Sequence, residues 1–331
     1  MPKTKIQELS DLVLDGQLLT REQGLVLAHW DESRLEELLD GADAIRRRHF
    51  GRAVRFCSIV SGKTGGCSED CAWCAQSGRH RTHIPERTVR TDLDKIVGSA
   101  RQSADNRAAC FCIVNSGRRP TQADLEQLAA IQARLSAEGL APACASLGEL
   151  DDATAARLAE LGVRRYNHNL ETSRGYYARV VSTHGYDDRL ATLRAARKAG
   201  LELCCGGIFG LGERWEDRVE LALTLRDEVR PHIVPLNFLH PIAGTRLADR
   251  PRLGPAECLK IIALFRFLLP RTDLKVAGGR AVNLGAAQRD MFRAGATSCI
   301  VGNLLTTCGP TPEEDRRMVA DLGLELVERF S

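Results

Sequence analysis

Cys67, Cys71 and Cys74 stand within GGCSEDCAWCAQSG at the spacing C-x3-C-x2-C. Three thiolates on one short turn can each take one iron of a [4Fe-4S] cube, and with no fourth local cysteine the last iron is open to a non-protein ligand. An open iron is a place to do chemistry. Zinc sites more often pair C-x2-C with a second ligand pair, so a zinc centre completed by a distant His, or simply buried cysteines, is the competing reading of these residues. Gly65 and Gly66 lead into the turn, where side chains would obstruct tight folding around a bulky group.

The chain has 12 cysteines in 331 residues. No apolar run reaches the ~18 residues of a membrane span, and MPKTKIQELSD lacks the apolar stretch of a secretory signal, so a cytoplasmic protein is expected. A reducing compartment argues against a disulfide framework and for metal or redox chemistry. A net charge of +3, from 46 basic and 43 acidic residues, is too balanced for a nucleic-acid stripe or a polybasic membrane anchor. Small-molecule chemistry remains, with neither nucleic acid nor membrane as partner.

The elements that must position the thiols follow from periodicity. Ile6, Leu9, Leu12 and Leu14, then Leu35, Leu38, Leu39 and Ile45, mark a helical cap over residues 1–50. From Ala53 onward eight apolar runs (AVRFCSIV, ACFCIV, APACASLG, RRYNHNLE, ELCCGGIFGL, IVPLNFLHP, LKVAGGR and SCIVGNLL) alternate with amphipathic stretches such as DLEQLAAIQARLSAEG and YDDRLATLRAARKAG. Repeated βα units of this number predict a (β/α)8 TIM-type barrel over 51–310, with a C-terminal helix over 311–331, all in one domain. Chemistry in such a barrel gathers at the C-terminal ends of the strands, and the three-cysteine turn directly follows the first.

The turn resembles the signature of radical S-adenosylmethionine (SAM) enzymes, and KTGGCSEDCAWCAQS with the rest of the chain is similar to the biotin synthase family. The resemblance implies that Cys67, Cys71 and Cys74 hold a [4Fe-4S] cluster that cleaves SAM, with Trp73 near the adenine. YNHNLETS would supply Asn169 and Glu171 to the ribose, Glu171 standing where the family usually has Asp, and Asn169 would also border the substrate. GYDDRL assigns the SAM carboxylate to Arg189, and a guanidinium suits a carboxylate. GGIFGLGE would let SAM approach the backbone at Gly206 and Gly207, and VPLNFL would aim Asn237 at the ureido ring of dethiobiotin.

The resemblance also implies an auxiliary iron–sulfur cluster, [2Fe-2S] or larger, on Cys112, Cys144 and Cys204. Strand alternation turns Cys205 away from Cys204 and leaves Cys110 on the face of Cys112. Many family members carry Arg where this chain has Lys275, and a cationic ammonium has no lone pair to give. Either Lys275 or Cys57, where family members carry Ser, completes the set. With Cys57 it becomes all-cysteine. Cys258, Cys299 and Cys308 read as small buried hydrophobes, and His184 and His240 as polar loop residues. The implied partners are dethiobiotin, an electron donor such as flavodoxin or ferredoxin, and a second copy in a homodimer. The competing readings are a methylornithine synthase-like or hydrogenase maturase-like radical enzyme, or a non-catalytic iron–sulfur protein.

Overall fold

Parallel strands covered on both faces read as unbroken apolar runs, and the eight runs become the staves of a barrel. The computed structural model describes residues 3–302, 305 and 309–329. Its staves are β1 (Ala53–Thr64), β2 (Ala108–Asn115), β3 (Cys144–Ser146), β4 (Arg165–Asn167), β5 (Glu202–Cys204, resumed at Gly207–Phe209), β6 (Ile233–Phe238), β7 (Asp273–Val276) and β8 (Ser298–Ile300). Each pairs in parallel with the next, and β8 returns to β1 in the register Arg55–Ser298, Phe56–Cys299, Cys57–Ile300. The sheet is closed, as the alternation of elements predicted. A buried ion pair locks the seam: Asp273 Oδ1 lies 3.0 Å from Arg55 Nη1 and accepts from Thr297 Oγ1 at 2.9 Å.

The cap is three helices, α1 (Lys5–Leu14), α2 (Arg21–Ala28) and α3 (Leu35–Phe50). Capping boxes at Thr4 with Gln7 and at Thr20 with Gln23 start the first two, each satisfying backbone N–H groups that a helix leaves open. Outside the staves run α4 (Leu93–Asp105), α5 (Gln122–Ala137), α6 (Asp152–Glu160), α7 (Arg174–Tyr177), α8 (Tyr186–Lys198), α9 (Trp215–Thr224), α10 (Pro255–Leu268), α11 (Arg280–Leu284) and α12 (Pro312–Asp321). The cap packs through α3 on α10 and through α2 on α9.

The C-terminal expectation needs correction. The helix stops at Asp321, and Glu325–Leu326 forms a further short strand parallel to the start of β1. Val327 N then donates to Val54 O at 2.9 Å and Arg55 Nε to Arg329 O at 2.7 Å, so the tail lies against the N-terminal end of the barrel. Cys258 and Cys299 are buried in the main core as expected, and Cys308 lies outside the described residues.

Candidate functional site

β1 ends at Thr64 and the chain turns through Gly65 and Gly66, both left-handed at φ 72° and 63°. A Cβ on Gly65 would stand 2.2 Å from Pro85 O, so the glycines are required by the neighbouring segment as well as by the turn. The loop that follows is fastened by its own backbone: Gly78 N donates to Cys67 O at 2.7 Å and Cys74 N to Cys71 O at 2.9 Å. Asp70, between the first two cysteines, accepts from Ser182 N at 2.9 Å and from Thr183 N at 3.2 Å, and from both hydroxyls. Burial works against its charge, but these bonds outweigh it and hold the carboxyl well below the usual range. Burial pushes the Cys71 thiol up to about 12 and Cys74 to about 11. Bound metal would take both as thiolates and release their protons.

Arg189 is buried, not a solvated residue of its helix start. Its Nη1 donates to Asn169 O at 2.8 Å, its Nε to Tyr177 Oη at 2.5 Å and its Nη2 to His184 Nε2 at 3.1 Å, with Glu171 Oε1 3.7 Å away. His184 in turn meets Glu69 Oε2 through Nδ1 at 2.6 Å. An arginine can only donate, so Nε2 is the acceptor and the ring proton sits on Nδ1, facing Glu69. Burial, then the charge of Arg189, lowers the His184 pKa and favours this neutral ring. The chain Glu69–His184–Arg189 therefore joins the thiol loop to the guanidinium. Reading His184 as a polar loop residue missed this, and so did passing over Glu69 and Asp70. Two acids between two metal-binding thiols would have flagged the loop, since charge placed there needs partners from elsewhere in the fold.

Two cavities meet over the thiol loop. The first, about 270 Å³, is lined by Cys67, Cys71, Cys74, Asn169, Glu171 and Arg189 among others. Three buried polar atoms on its wall, Asn167 Oδ1, His168 Nε2 and Glu171 Oε2, have no partner among the described residues. Each such group costs about 1–3 kcal/mol when left unmade, so the wall fits a polar ligand with amine, hydroxyl and carboxylate groups, as SAM has. Glu171 adopts φ +70°, and burial raises its pKa. Gly206 and Gly207 are used by the protein itself: a Cβ on Gly206 would fall 1.9 Å from Pro235 O and one on Gly207 2.7 Å from Glu171 O. Gly206 N also donates to Asn169 Oδ1 at 3.1 Å, which orients that amide.

The second cavity, about 360 Å³, shares Trp73, Cys74, Asn169 and Glu171 with the first and continues past Ile208, Asn237 and His240. Asn237 spans β5 to the β7 end, donating to Gly207 O at 3.0 Å and accepting from Gly278 N at 2.9 Å. One amide hydrogen and one lone pair stay available to a ligand. Ile59, Val114 and Ile300 form the apolar floor of this cavity and pack on their other side against interior cysteines.

Below that floor the barrel brings together Cys57, Cys110, Cys112, Cys144, Cys204 and Lys275. The registers Cys57–Cys110, Cys112–Cys144 and Asn167–Cys204 bring them together across neighbouring staves, with Cys112 one same-face position beyond Cys110, and Cys205 faces the outer core. Cys110 Sγ lies 3.2 Å from Cys144 Sγ, and Lys275 Nζ 3.4 Å from Cys204 Sγ. Contacts from Cys144 and Cys57 pull the Cys110 thiol well below its ordinary value. The sequence set of Cys57, Cys112, Cys144 and Cys204 is thus joined by Cys110 at its centre. Among the described residues no three His, Cys, Asp or Glu side chains form a group for a single metal ion. A cluster differs in presenting separate irons to separate thiolates, and thiols arrayed on four staves suit it.

Comparison with known proteins gives the family and the fold. Residues 62–225 match the Radical SAM superfamily and residues 235–325 the Biotin and Thiamin Synthesis associated domain. Biotin synthase of Trichlorobacter lovleyi is 43% identical over 99% of this chain and 98% of its own. That of Syntrophotalea carbinolica is 45% identical over 97% and 98%. Among solved structures, methylornithine synthase superposes with a TM-score of 0.81 at 18% identity, over 96% of this chain and 97% of its own. The FeFe-hydrogenase maturase HydG of Carboxydothermus hydrogenoformans gives 0.81 at 17%, over 97% and 79%. These two share the fold, whereas the sequence relatives carry the family: the chain belongs to the biotin synthase family of radical SAM enzymes.

Proposed function

We propose that this chain, as one barrel unit, inserts sulfur into dethiobiotin to give biotin. When bound, the [4Fe-4S] cluster on Cys67, Cys71 and Cys74 supplies the electron that splits SAM into methionine and a 5′-deoxyadenosyl radical, and an auxiliary iron–sulfur cluster supplies the sulfur. Arg189 pairs with the SAM carboxylate, Asn169 and Glu171 hold its polar groups, and Trp73 lies along the adenine. Asn237 offers its remaining hydrogen and lone pair to the ureido ring. Ile59, Val114 and Ile300 keep water from a carbon radical that any stray bond would quench. In the auxiliary site Cys57, Cys110, Cys112, Cys144 and Cys204 are the ligand pool, and Lys275 serves as a buried countercharge. A flavodoxin or ferredoxin donor, a homodimer and a cytoplasmic setting complete the reading.

The observation that carries it is the apolar cavity bounded by two thiol sets, one on the loop and one under the floor. A methylornithine synthase-like or maturase-like enzyme has no use for the lower set, and a simple electron carrier none for the ligand wall. The test is anaerobic reconstitution of the full chain with SAM, dithionite and dethiobiotin. Deoxyadenosine and biotin are expected together, and Cys71→Ala should lose both while keeping the interior iron. Deoxyadenosine without biotin would overturn sulfur insertion; neither product would overturn catalysis.

A further inference from the structure

Three other segments hold the thiol loop from outside. Thr82 Oγ1 donates to Ala75 O at 2.8 Å and His80 Nδ1 to Cys74 O at 2.9 Å. Arg79 Nε donates to Ser68 O at 2.9 Å, and Arg246 Nη2 to Asp70 O at 3.0 Å and to Val180 O at 2.7 Å. Val180 O also accepts from Ala72 N at 2.9 Å. Gly244 lies so near that a Cβ there would fall 1.9 Å from Arg81 O. Residues 78–87, 178–185 and 240–248 thus form one collar around the cysteines.

The collar is basic. Its segments carry Arg79, Arg81, Arg87, Arg179 and Arg246, all exposed, against a single acid, Glu86. The whole chain, by contrast, sets 46 basic residues against 43 acidic ones. The loop's own acids do not offset this: Glu69 and Asp70 are 8% and 13% exposed and are engaged by His184, Ser182 and Thr183. Just past the collar, Asp187 pairs with Arg174 at 2.7 Å and Asp188 caps its own helix at Gly185 N. Among the described residues Arg79, Arg81, Arg87 and Arg179 enter no ion pair. None of the five arginines lines either cavity over the loop.

We infer that the collar is the docking face for an acidic protein that carries one electron to the loop cluster. The inference rests on the function proposed above, because SAM cleavage consumes an electron. Electron transfer weakens steeply with distance, and Arg79 and Arg246 hold the carbonyls of the residues beside Cys67 and Cys71. A partner whose carboxylates meet these guanidiniums stands one side chain from the cysteine loop. Clustered cations steer such a partner in, and the planar fork of arginine suits a carboxylate. A nucleic acid fits less well, since the charges ring a redox loop and form no stripe along one element. Because the collar lies outside the cavities, docking leaves the ligand wall open. The donor loses one electron and the cluster gains it, with no bond made or broken and no proton moved.

Calorimetric titration of the reconstituted full chain with an acidic flavodoxin and, separately, an acidic ferredoxin tests the face. At least one should bind. The double variant Arg81→Glu/Arg179→Glu spares the arginines that hold the loop and should weaken that binding about tenfold at about 0.1 M salt. The control Arg157→Glu on α6 should leave it unchanged. Raising the salt to about 1 M shortens the screening length from about 10 Å to about 3 Å and should bring parent and double variant together. Deoxyadenosine formation by the double variant should fall when the protein donor supplies the electron and stay at the parental rate with dithionite. Binding of neither donor to the parent, an equal effect of the control, unchanged binding by the double variant, or tighter binding of a short RNA than of either donor would overturn the docking face. So would loss of the dithionite-driven reaction in the double variant, which would assign the arginines to the loop itself. A parent that makes no deoxyadenosine with dithionite sinks the functional reading instead.

Discussion

Between Cys67 and Cys71 a single carboxylate decides how the guanidinium is held. Glu69 keeps its charge against burial through hydrogen bonds from Ser68 and His184, and passes that charge to Arg189 through one imidazole ring. Replacing the ring removes the acceptor for Arg189 Nη2 but leaves its bonds to Asn169 and Tyr177. His184→Leu is therefore expected to weaken SAM binding about tenfold, near 1.4 kcal/mol, with the iron content of the loop unchanged. Equilibrium dialysis of SAM against reconstituted protein, with iron analysis alongside, measures both. A loss of iron with no change in affinity would mean that the ring serves the loop and not the guanidinium.

β1 and α5 are joined where the catalytic end begins. Asp124, fully buried, takes Lys63 Nζ at 2.7 Å, Arg90 Nη1 at 2.8 Å and Asn115 Nδ2 at 3.1 Å, and it also closes the capping box of its own helix at Thr121. Asp124→Ala would strand a buried lysine, at a cost of about 3–5 kcal/mol, read as a lower denaturant midpoint. Burial opposes ionisation, yet Lys63 and Thr121 bring the folded pKa down to about 2, below an unfolded value of about 3.9. The contribution is complete above roughly pH 4 and is lost as the pH falls toward 2. In the Ala variant that acid-dependent part of the stability curve should vanish.

All eight staves were legible at this scale because strands covered on both sides announce themselves as apolar runs. The helix α2 was not: its apolar residues Leu25, Val26, Leu27 and Ala28 are consecutive and give no clear period. The Glu325–Leu326 strand was hidden because LGLELVERF keeps a helix-like pattern after Asp321, and only pairing with β1 settles its conformation. The thiol loop could be read from spacing alone. Its fasteners could not, since Glu69 and His184 are 115 residues apart and Asp70 and Ser182 112.

The whole molecule is sealed late in sequence. Its seam joins β1 to β8 and β7, and the tail then crosses the barrel's N-terminal end. Removing the chain after Leu324 takes away the Val327 and Arg329 bonds to β1 but no stave. The barrel should remain by circular dichroism, with melting lowered by on the order of 2–4 °C for each kcal/mol lost.

The Asp70 clasp also sets a clock for biogenesis. At roughly 5–20 residues per second, a ribosome needs about 6–22 s to make the 112 residues that separate Asp70 from its partner Ser182. Throughout that interval the three soft donors of the nascent chain are unfastened and open to whatever metal the cell offers. Iron delivery that waits for the clasp would spare the newborn protein from zinc or copper, and the timing of that delivery is written into the distance between two residues.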